Sequence, residues 1–343
     1  MLHLETGSGG LLEHRLLQEI LPELDGVAEV AEIGDIRHEG ASFPIHSLCV
    51  GSKDPQAPLL LLTGGVHGLE RIGSHVILAF FQHLARMARW STSIQNMLGQ
   101  IRIAALPVIN PVGMSLRRRS NGHGVDLMRN APVESNAASW RLWSGQRLSS
   151  QLPWFRGQPE AMEKESQLLC DYVRSQRQGR RFTLALDLHS GFGSRDSLWY
   201  PYSHRLTPPA NLAEYAALAR LLDKSPLQSI YDFEPQTRHY QISGDLWDLL
   251  LLEAENSGDD KRFLPLTLEL GSWLWLRKHP SSILSSEGPF NPLIRHRYER
   301  ILRRHGVLLL LLAEACASHA QWLPKEAQRP TYHSEARNRW YGK

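Results

Sequence analysis

Four short apolar runs in this chain lead into residues that can bind a metal or move a proton. The run at 58–62 passes through Thr63-Gly64-Gly65 to His67 and Glu70, and the run at 101–106 leads to Asn110-Pro111. The run at 182–188 ends at His189, and that at 264–270 carries Glu269. In open α/β sheets ligands collect at the carboxyl ends of the strands, so groups far apart in sequence can converge there. His67, Glu70 and His189 would supply two imidazoles and one carboxylate, the three-ligand set that leaves a fourth zinc position open to water. Each group alone has a plainer reading. His-x-x-Glu recurs by chance, and His189 suits a hydrogen-bonded strand end. Glu269 is more informative, because an unpaired carboxylate in an apolar strand is costly. It either has a cationic partner or faces a cleft.

The elements that must position these groups follow from periodicity. The pattern predicts a helix over 11–24, then strands over 27–33 and 42–50 with a turn region at Gly34-Asp35. The four apolar runs read as strands buried on both faces. Helical periodicity covers 72–87, 160–176, 212–222 and 296–323. Strands alternating with helices predict an α/β fold, a three-layer α/β/α sandwich around a mixed, largely parallel sheet. No internal repeat or low-complexity linker divides the chain, so residues 1–323 read as a single domain with core motifs at 59–272. Residues 131–158, rich in Ser, Asn, Pro and Trp, read as a long surface loop, and such loops are often functional. Residues 324–343 read as a polar, basic, non-periodic tail.

Composition narrows the function classes. The chain has 343 residues, 42% hydrophobic and 21% charged, with a net charge of +3, which is ordinary globular usage. That charge gives no footprint for nucleic acid or an anionic membrane, and a small-molecule or peptide partner is expected. The longest apolar run, at 307–313, falls far short of the roughly 20 residues needed to span a bilayer. Cys49, Cys170 and Cys316 are few, odd in number and far apart, which argues against a disulfide framework. Residues 1–10 lack the basic and apolar regions of a secretory signal, so a cytoplasmic location is expected.

At the level of motifs the chain resembles the zinc carboxypeptidase (carboxypeptidase A-like) family from about residue 59 to 272. Gly-Gly-Val-His67-Gly-Leu-Glu70 looks like its zinc motif, and Asp-Leu-His189-Ser-Gly like its third ligand. Asn110-Pro111-Val-Gly113, then Arg119-Ser-Asn121-Gly-His-Gly124-Val-Asp126-Leu-Met128-Arg129-Asn130, is similar to the family's Asn-Pro-x-Gly and Arg-x-Asn-x-x-Gly-Val-Asp-Leu-Asn-Arg-Asn run. Tyr240 to Asp248 resembles the mobile tyrosine loop, and Thr267-Leu-Glu269-Leu-Gly the catalytic glutamate strand. Phe155-Arg-Gly157 with Glu163 and Glu165 is similar to the glycine and paired acids that precede the third zinc ligand.

The resemblance implies a bacterial-type, cytoplasmic zinc carboxypeptidase with one Zn²⁺ per chain on His67, Glu70 and His189. The metal would lower the pKa of its water toward about 7. Glu269 would act as general base and pass the proton to the leaving amine. Arg119 would stabilise the oxyanion, Arg129 would pair with a substrate carboxylate, and Tyr240 would close over the substrate. Only the motif register singles out Arg119 from Arg117 and Arg118. His75, His123 and His204 read as surface or structural. Asp187 reads equally as an orienting group for His189 or as sheet packing.

Two departures alter the expected pocket. Met128 stands where the family usually has an asparagine beside Arg129, and it cannot donate a hydrogen bond. Trp247 stands at a position expected to line the side-chain pocket, which its bulk would shorten. The expected substrate is a peptide or an N-acyl amino acid, cleaved at an amide near its carboxylate end. The alternatives are an N-acyl amino acid deacylase like aspartoacylase and succinylglutamate desuccinylase, or an inactive zinc- or peptide-binding module.

Overall fold

A computed structural model describes residues 10–136, 142–191, 193–257 and 262–342. The expectations for residues 1–9, for 137–141 of the surface loop and for Lys343 lie outside these residues. The chain runs from α1 (Leu12–Leu24) into an antiparallel hairpin of β1 (Ala28–His38) and β2 (Ala41–Gly51). The hairpin turns at Glu39-Gly40, whose φ values of 48° and 81° suit the tight two-residue turns that match strand twist. Gly34-Asp35, expected as the turn, instead lies inside β1, where the register slips between Glu32 and Gly34. Glycine fits this bulge because a Cβ there would meet Leu168 at 2.9 Å.

After the hairpin come β3 (Leu59–Gly64), α2 (Arg71–Ala88), α3 (Thr92–Gln100), β4 (Arg102–Leu106), α4 (Pro111–Ser115) and α5 (Lys164–Arg177). Then follow β5 (Phe182–Gly191), β6 (Asp196–Tyr200), α6 (Leu212–Asp223), β7 (Tyr231–Pro235), α7 (Leu246–Asn256) and β8 (Arg262–Gly271). The chain closes with α8 (Trp273–Lys278), α9 (Arg295–Ala317), α10 (His319–Trp322) and α11 (Arg329–Ala336). The eight strands form one mixed sheet in the order β1-β2-β4-β3-β5-β8-β6-β7, with β4, β3, β5 and β8 parallel. β6 and β7 carry too many polar residues to show a strand pattern in sequence, and the helix expected over 296–323 breaks at Ser318.

Leu59 to Leu62 are wholly buried, each side chain contributing about 1.5–3 kcal/mol through its removal from water. Strand alternation divides the core into two layers. Even-numbered Leu60, Leu62, Leu184, Leu186, Leu264 and Leu266 pack with α1, α2, α6 and α9, whereas Leu59, Leu61, Ala185 and Phe263 pack with α5 and α7. This is the expected three-layer α/β/α sandwich. The odd-numbered face continues at the strand ends as Thr63, Asp187, His189, Thr267 and Glu269. Register sets Thr63 beside Asp187 and His189 beside Glu269.

The segment after Leu323, expected as a tail without periodicity, is helical and packs on α6. Trp340 is buried and donates from Nε1 to the Phe233 carbonyl at 3.0 Å. Arg339 pairs with Asp223 at 2.9 Å, and Glu335 pairs with Arg220. Tyr332, Ala336 and Trp340, spaced by four, pack against the core, a pattern that an overall polar composition hides. No helix among the described residues is long and apolar enough to cross a membrane.

Candidate metal centre and active-site cleft

A cleft of about 890 Å³ opens at the carboxyl ends of β3, β5 and β8. β3 lies between β4 and β5, so the chain leaves it to one side and later returns on the other, the switch point at which open α/β sheets form a crevice. His67, Glu70 and His189 meet in the cleft, each offering a ligand atom, all within 4.8 Å of one another. All three are buried.

Close backbone contacts shape the loop that carries His67. Gly65 has φ 65°, and a Cβ there would come within 2.2 Å of the Met114 side chain. At Gly68 a Cβ would meet the Gly113 backbone at 2.1 Å. The side chain of Asn110 accepts from the Gly113 N–H at 2.8 Å and donates to the Val66 carbonyl at 3.1 Å. The Asn-Pro-x-Gly segment is therefore a brace for the metal loop.

Around this loop, buried charges fix the side chains. Glu70 Oε2 accepts from the Ser190 N–H at 3.0 Å and lies 3.0 Å from His189 Nδ1, while Oε1 accepts from Arg119 at 3.0 Å. Asp126 Oδ2 accepts from Arg119 Nε at 3.0 Å and Arg129 Nη1 at 2.8 Å. Asp187 accepts from Thr63 Oγ1 at 2.8 Å and Trp247 Nε1 at 3.0 Å, and its Oδ2 lies 2.8 Å from His189 Nε2. Asp187 thus has an orienting contact with His189 and also ties two further elements together.

Burial and the neighbouring Arg119 push His67 down to about 3, leaving a neutral imidazole. Burial acts to raise Glu70, but His67, His189 and Arg119 outweigh it and hold the carboxyl at about 2. Burial opposes charge on His189 too, yet Asp187 and Glu70 raise it well above the ordinary range. Metal binding requires His189 to release that proton. His67 Nδ1 is buried without a hydrogen-bond partner among the described residues, and so is Asp126 Oδ1, 3.7 Å away. The other ring nitrogen of His67, Nε2, lies 2.6 Å from Arg119 Nη2. Two buried imidazoles and a buried carboxylate whose ligand atoms all lie within 4.8 Å of one another fit a metal ion.

The other predicted residues divide. Glu269, Arg119, Arg129, Tyr240 and Met128 all line the cleft. The Glu269 carboxylate has no hydrogen bond or ion pair to any described residue, and burial together with the charge of Glu70 pushes it up to about 8. Gly191 leaves it room, since a Cβ there would meet Glu269 Oε1 at 2.3 Å. Tyr240 stands at the mouth, edge-on to Trp199. Arg129 is largely engaged, with Nη1 on Asp126 and both Nε and Nη2 on the Trp143 carbonyl at 3.2 and 3.1 Å.

Trp247, expected in the pocket wall, is not among the lining residues. It is buried, with its indole turned to Asp187, because α7 begins at Leu246 and directs that position into the core. Asp245 lines the cleft instead. Its Oδ1 caps α7 by accepting from the Trp247 and Asp248 N–H groups at 2.8 and 3.0 Å, and no described cation pairs with it. Burial and Asp248 push its carboxyl up to about 8. Its position before a helix was the available sequence signal. His75 and His204 are structural, bonded to Glu13 at 2.8 Å and Asp248 at 2.6 Å, while exposed His123 reaches Glu163 at 2.6 Å.

A mixed sheet with a two-histidine, one-carboxylate site at its carboxyl rim, and beside it a carboxylate unpaired among the described residues, suits metal-assisted hydrolysis. The chain belongs to the zinc carboxypeptidase family, whose model matches residues 28–271. Zinc is that family's metal, and His67, Glu70 and His189 are positioned to hold it. The fold is similar to carboxypeptidase A from Helicoverpa armigera, with TM-score 0.63 and 23% identity over 89% of this chain and 72% of that one. Bovine thrombin-activatable fibrinolysis inhibitor, solved with a tick carboxypeptidase inhibitor, is similar with TM-score 0.63 and 18% identity, covering 89% of this chain and 94% of that one. Carboxypeptidase SOL1 of Arabidopsis thaliana is 29% identical over 75 residues, spanning 22% of this chain and 15% of that protein.

Proposed function

We propose that this chain is a metallocarboxypeptidase that hydrolyses an amide bond near the carboxylate end of a peptide or peptide-like substrate. The observation that carries this reading is the unpaired Glu269 carboxylate beside the buried His67–Glu70–His189 set. His67, Glu70 and His189 would hold one zinc per chain, whose Lewis acidity would acidify water and polarise a carbonyl. Glu269 takes the proton of the attacking water at a carboxylate oxygen and delivers it to the leaving nitrogen, so the carboxylate is regenerated in each turnover. Arg119, held by Asp126 and Glu70, presents a fixed cation to the oxygen on which charge develops. Tyr240 at the cleft mouth covers bound substrate and excludes water.

Arg129 engages three of its five N–H groups, which leaves two for a substrate carboxylate. Met128 beside it adds apolar contact and no hydrogen bond. Asp245, with one oxygen unbonded among the described residues, favours a released residue bearing a cationic side chain, whose charge would draw the buried carboxyl into its ionised form. A second reading, hydrolysis of N-acyl amino acids, is favoured by this reduced carboxylate recognition. In this reading residues 1–323 are the catalytic domain, and the described residues 324–342 pack onto it. The three buried, unpaired cysteines support a cytoplasmic setting.

Glu269→Gln tests the mechanism. It keeps the zinc stoichiometry and lowers kcat by about 10²–10⁴-fold. Wild-type turnover in that variant removes Glu269 from the reaction. Release of product only from N-acyl amino acids, and none from peptide C-termini, favours the second reading.

A further inference from the structure

Glu70 occupies two roles that conflict. It is the residue from which α2 departs, where a side-chain oxygen normally accepts the orphaned N–H groups of the first turn. Its carboxylate is turned away to His189, Arg119 and Ser190, and it makes no capping bond. The missing cap comes from far along the chain. Asn291 Oδ1 accepts from the Arg71 and Ile72 N–H groups, both at 3.0 Å, and Asn291 Nδ2 donates to the Leu69 carbonyl at 2.7 Å. One amide thus grips the backbone on both sides of Glu70.

The grip is itself anchored. Asn291 also bonds the Glu287 carbonyl, through its backbone N–H at 2.8 Å and Nδ2 at 3.2 Å. The Glu287 side chain reaches Arg71 Nη1 at 3.4 Å, and Arg71 forms a two-bonded pair with buried Glu13 at 2.8 and 2.7 Å. Asn291, Glu287 and Glu13 all lie outside the family-matched residues 28–271. We infer that Asn291 is a positioning residue for the metal site, capping α2 in place of Glu70 and so freeing the Glu70 carboxylate for the metal. The inference rests on His67, Glu70 and His189 holding zinc.

The test is zinc affinity, measured by chelator competition on metal-stripped protein at a temperature where circular dichroism shows every variant folded. Asn291→Ala raises the zinc Kd by about 10–100-fold, the usual cost of losing a group that orients a ligand. Asn291→Asp, which still accepts from both N–H groups but can no longer donate to the Leu69 carbonyl, raises the Kd less than Asn291→Ala does. If Asn291→Ala does not fold, Asn291→Ser, too short to grip both sides, carries the same reading with at least a fivefold rise. A zinc Kd within twofold of wild type in a folded Ala or Ser variant, whatever its thermal stability, overturns the inference and leaves the metal site standing. A wild-type chain that binds no zinc overturns both.

Discussion

Trp247→Phe removes one hydrogen atom of consequence. The indole N–H of Trp247 is one of the donors holding the fully buried Asp187 carboxylate, at 3.0 Å, and the same Oδ2 lies 2.8 Å from His189 Nε2. Phenylalanine keeps an aromatic ring in the core and deletes that donor. A hydrogen bond to a charged group contributes about 1.5–3 kcal/mol, and the space left by the smaller ring adds about 1 kcal/mol. Unfolding in urea should therefore register a loss of about 3 kcal/mol. Asp187 also orients His189, so zinc affinity should fall by about 10–100-fold, as it does when other outer partners of ligating histidines are lost. The two readouts separate packing from orientation. If Trp247 acts through Asp187, the substitution weakens zinc no further in an Asp187→Ala background, where no side-chain acceptor remains. A variant that loses stability but keeps wild-type zinc affinity, or equal weakening in both backgrounds, refutes the orienting role.

The pH dependence of stability should carry the mark of Glu13. Burial acts to raise its pKa, but His75 and Arg71 prevail and lower it from 4.5 to about 2, so its contribution is present above about 4.5 and lost as pH falls toward 2. The linkage amounts to about 3 kcal/mol at most. Urea unfolding of Glu13→Gln should show less acid sensitivity than wild type across that window, and parallel curves would remove Glu13 as the cause. Asp245→Asn should lower kcat/KM for a C-terminal lysine at least tenfold relative to a C-terminal leucine. An unchanged ratio would show that Asp245 only caps α7.

The core of the fold was legible because β3, β5 and β8 are apolar on both faces, a pattern few alternatives satisfy. β6 and β7 were not legible, since Asp196, Ser197, Asp232 and Glu234 interrupt any apolar alternation. Asn110 shows how a motif can be recognised before its work is known: its side chain braces the loop of His67 through contacts to Val66 and Gly113. The terminal segment misled for the opposite reason, because a few spaced residues, Tyr332, Ala336 and Trp340, with ion pairs such as Arg339–Asp223, anchor an otherwise polar stretch.

Residue type and order alone determined the chemistry on offer: two imidazoles, two carboxylates and an arginine, each at the end of a strand or in a tight turn. They also determined the layered sheet that brings strand ends together, because alternation and apolar runs are local properties. Tertiary structure decided which groups are free to act. It engaged Arg129 with Trp143, turned Trp247 from the cleft to Asp187, left Glu269 and Asp245 without a paired cation among the described residues, and assigned the cap of α2 to Asn291. Such outcomes depend on distances between residues tens to hundreds of positions apart. A linear sequence does not encode those distances until the chain has packed.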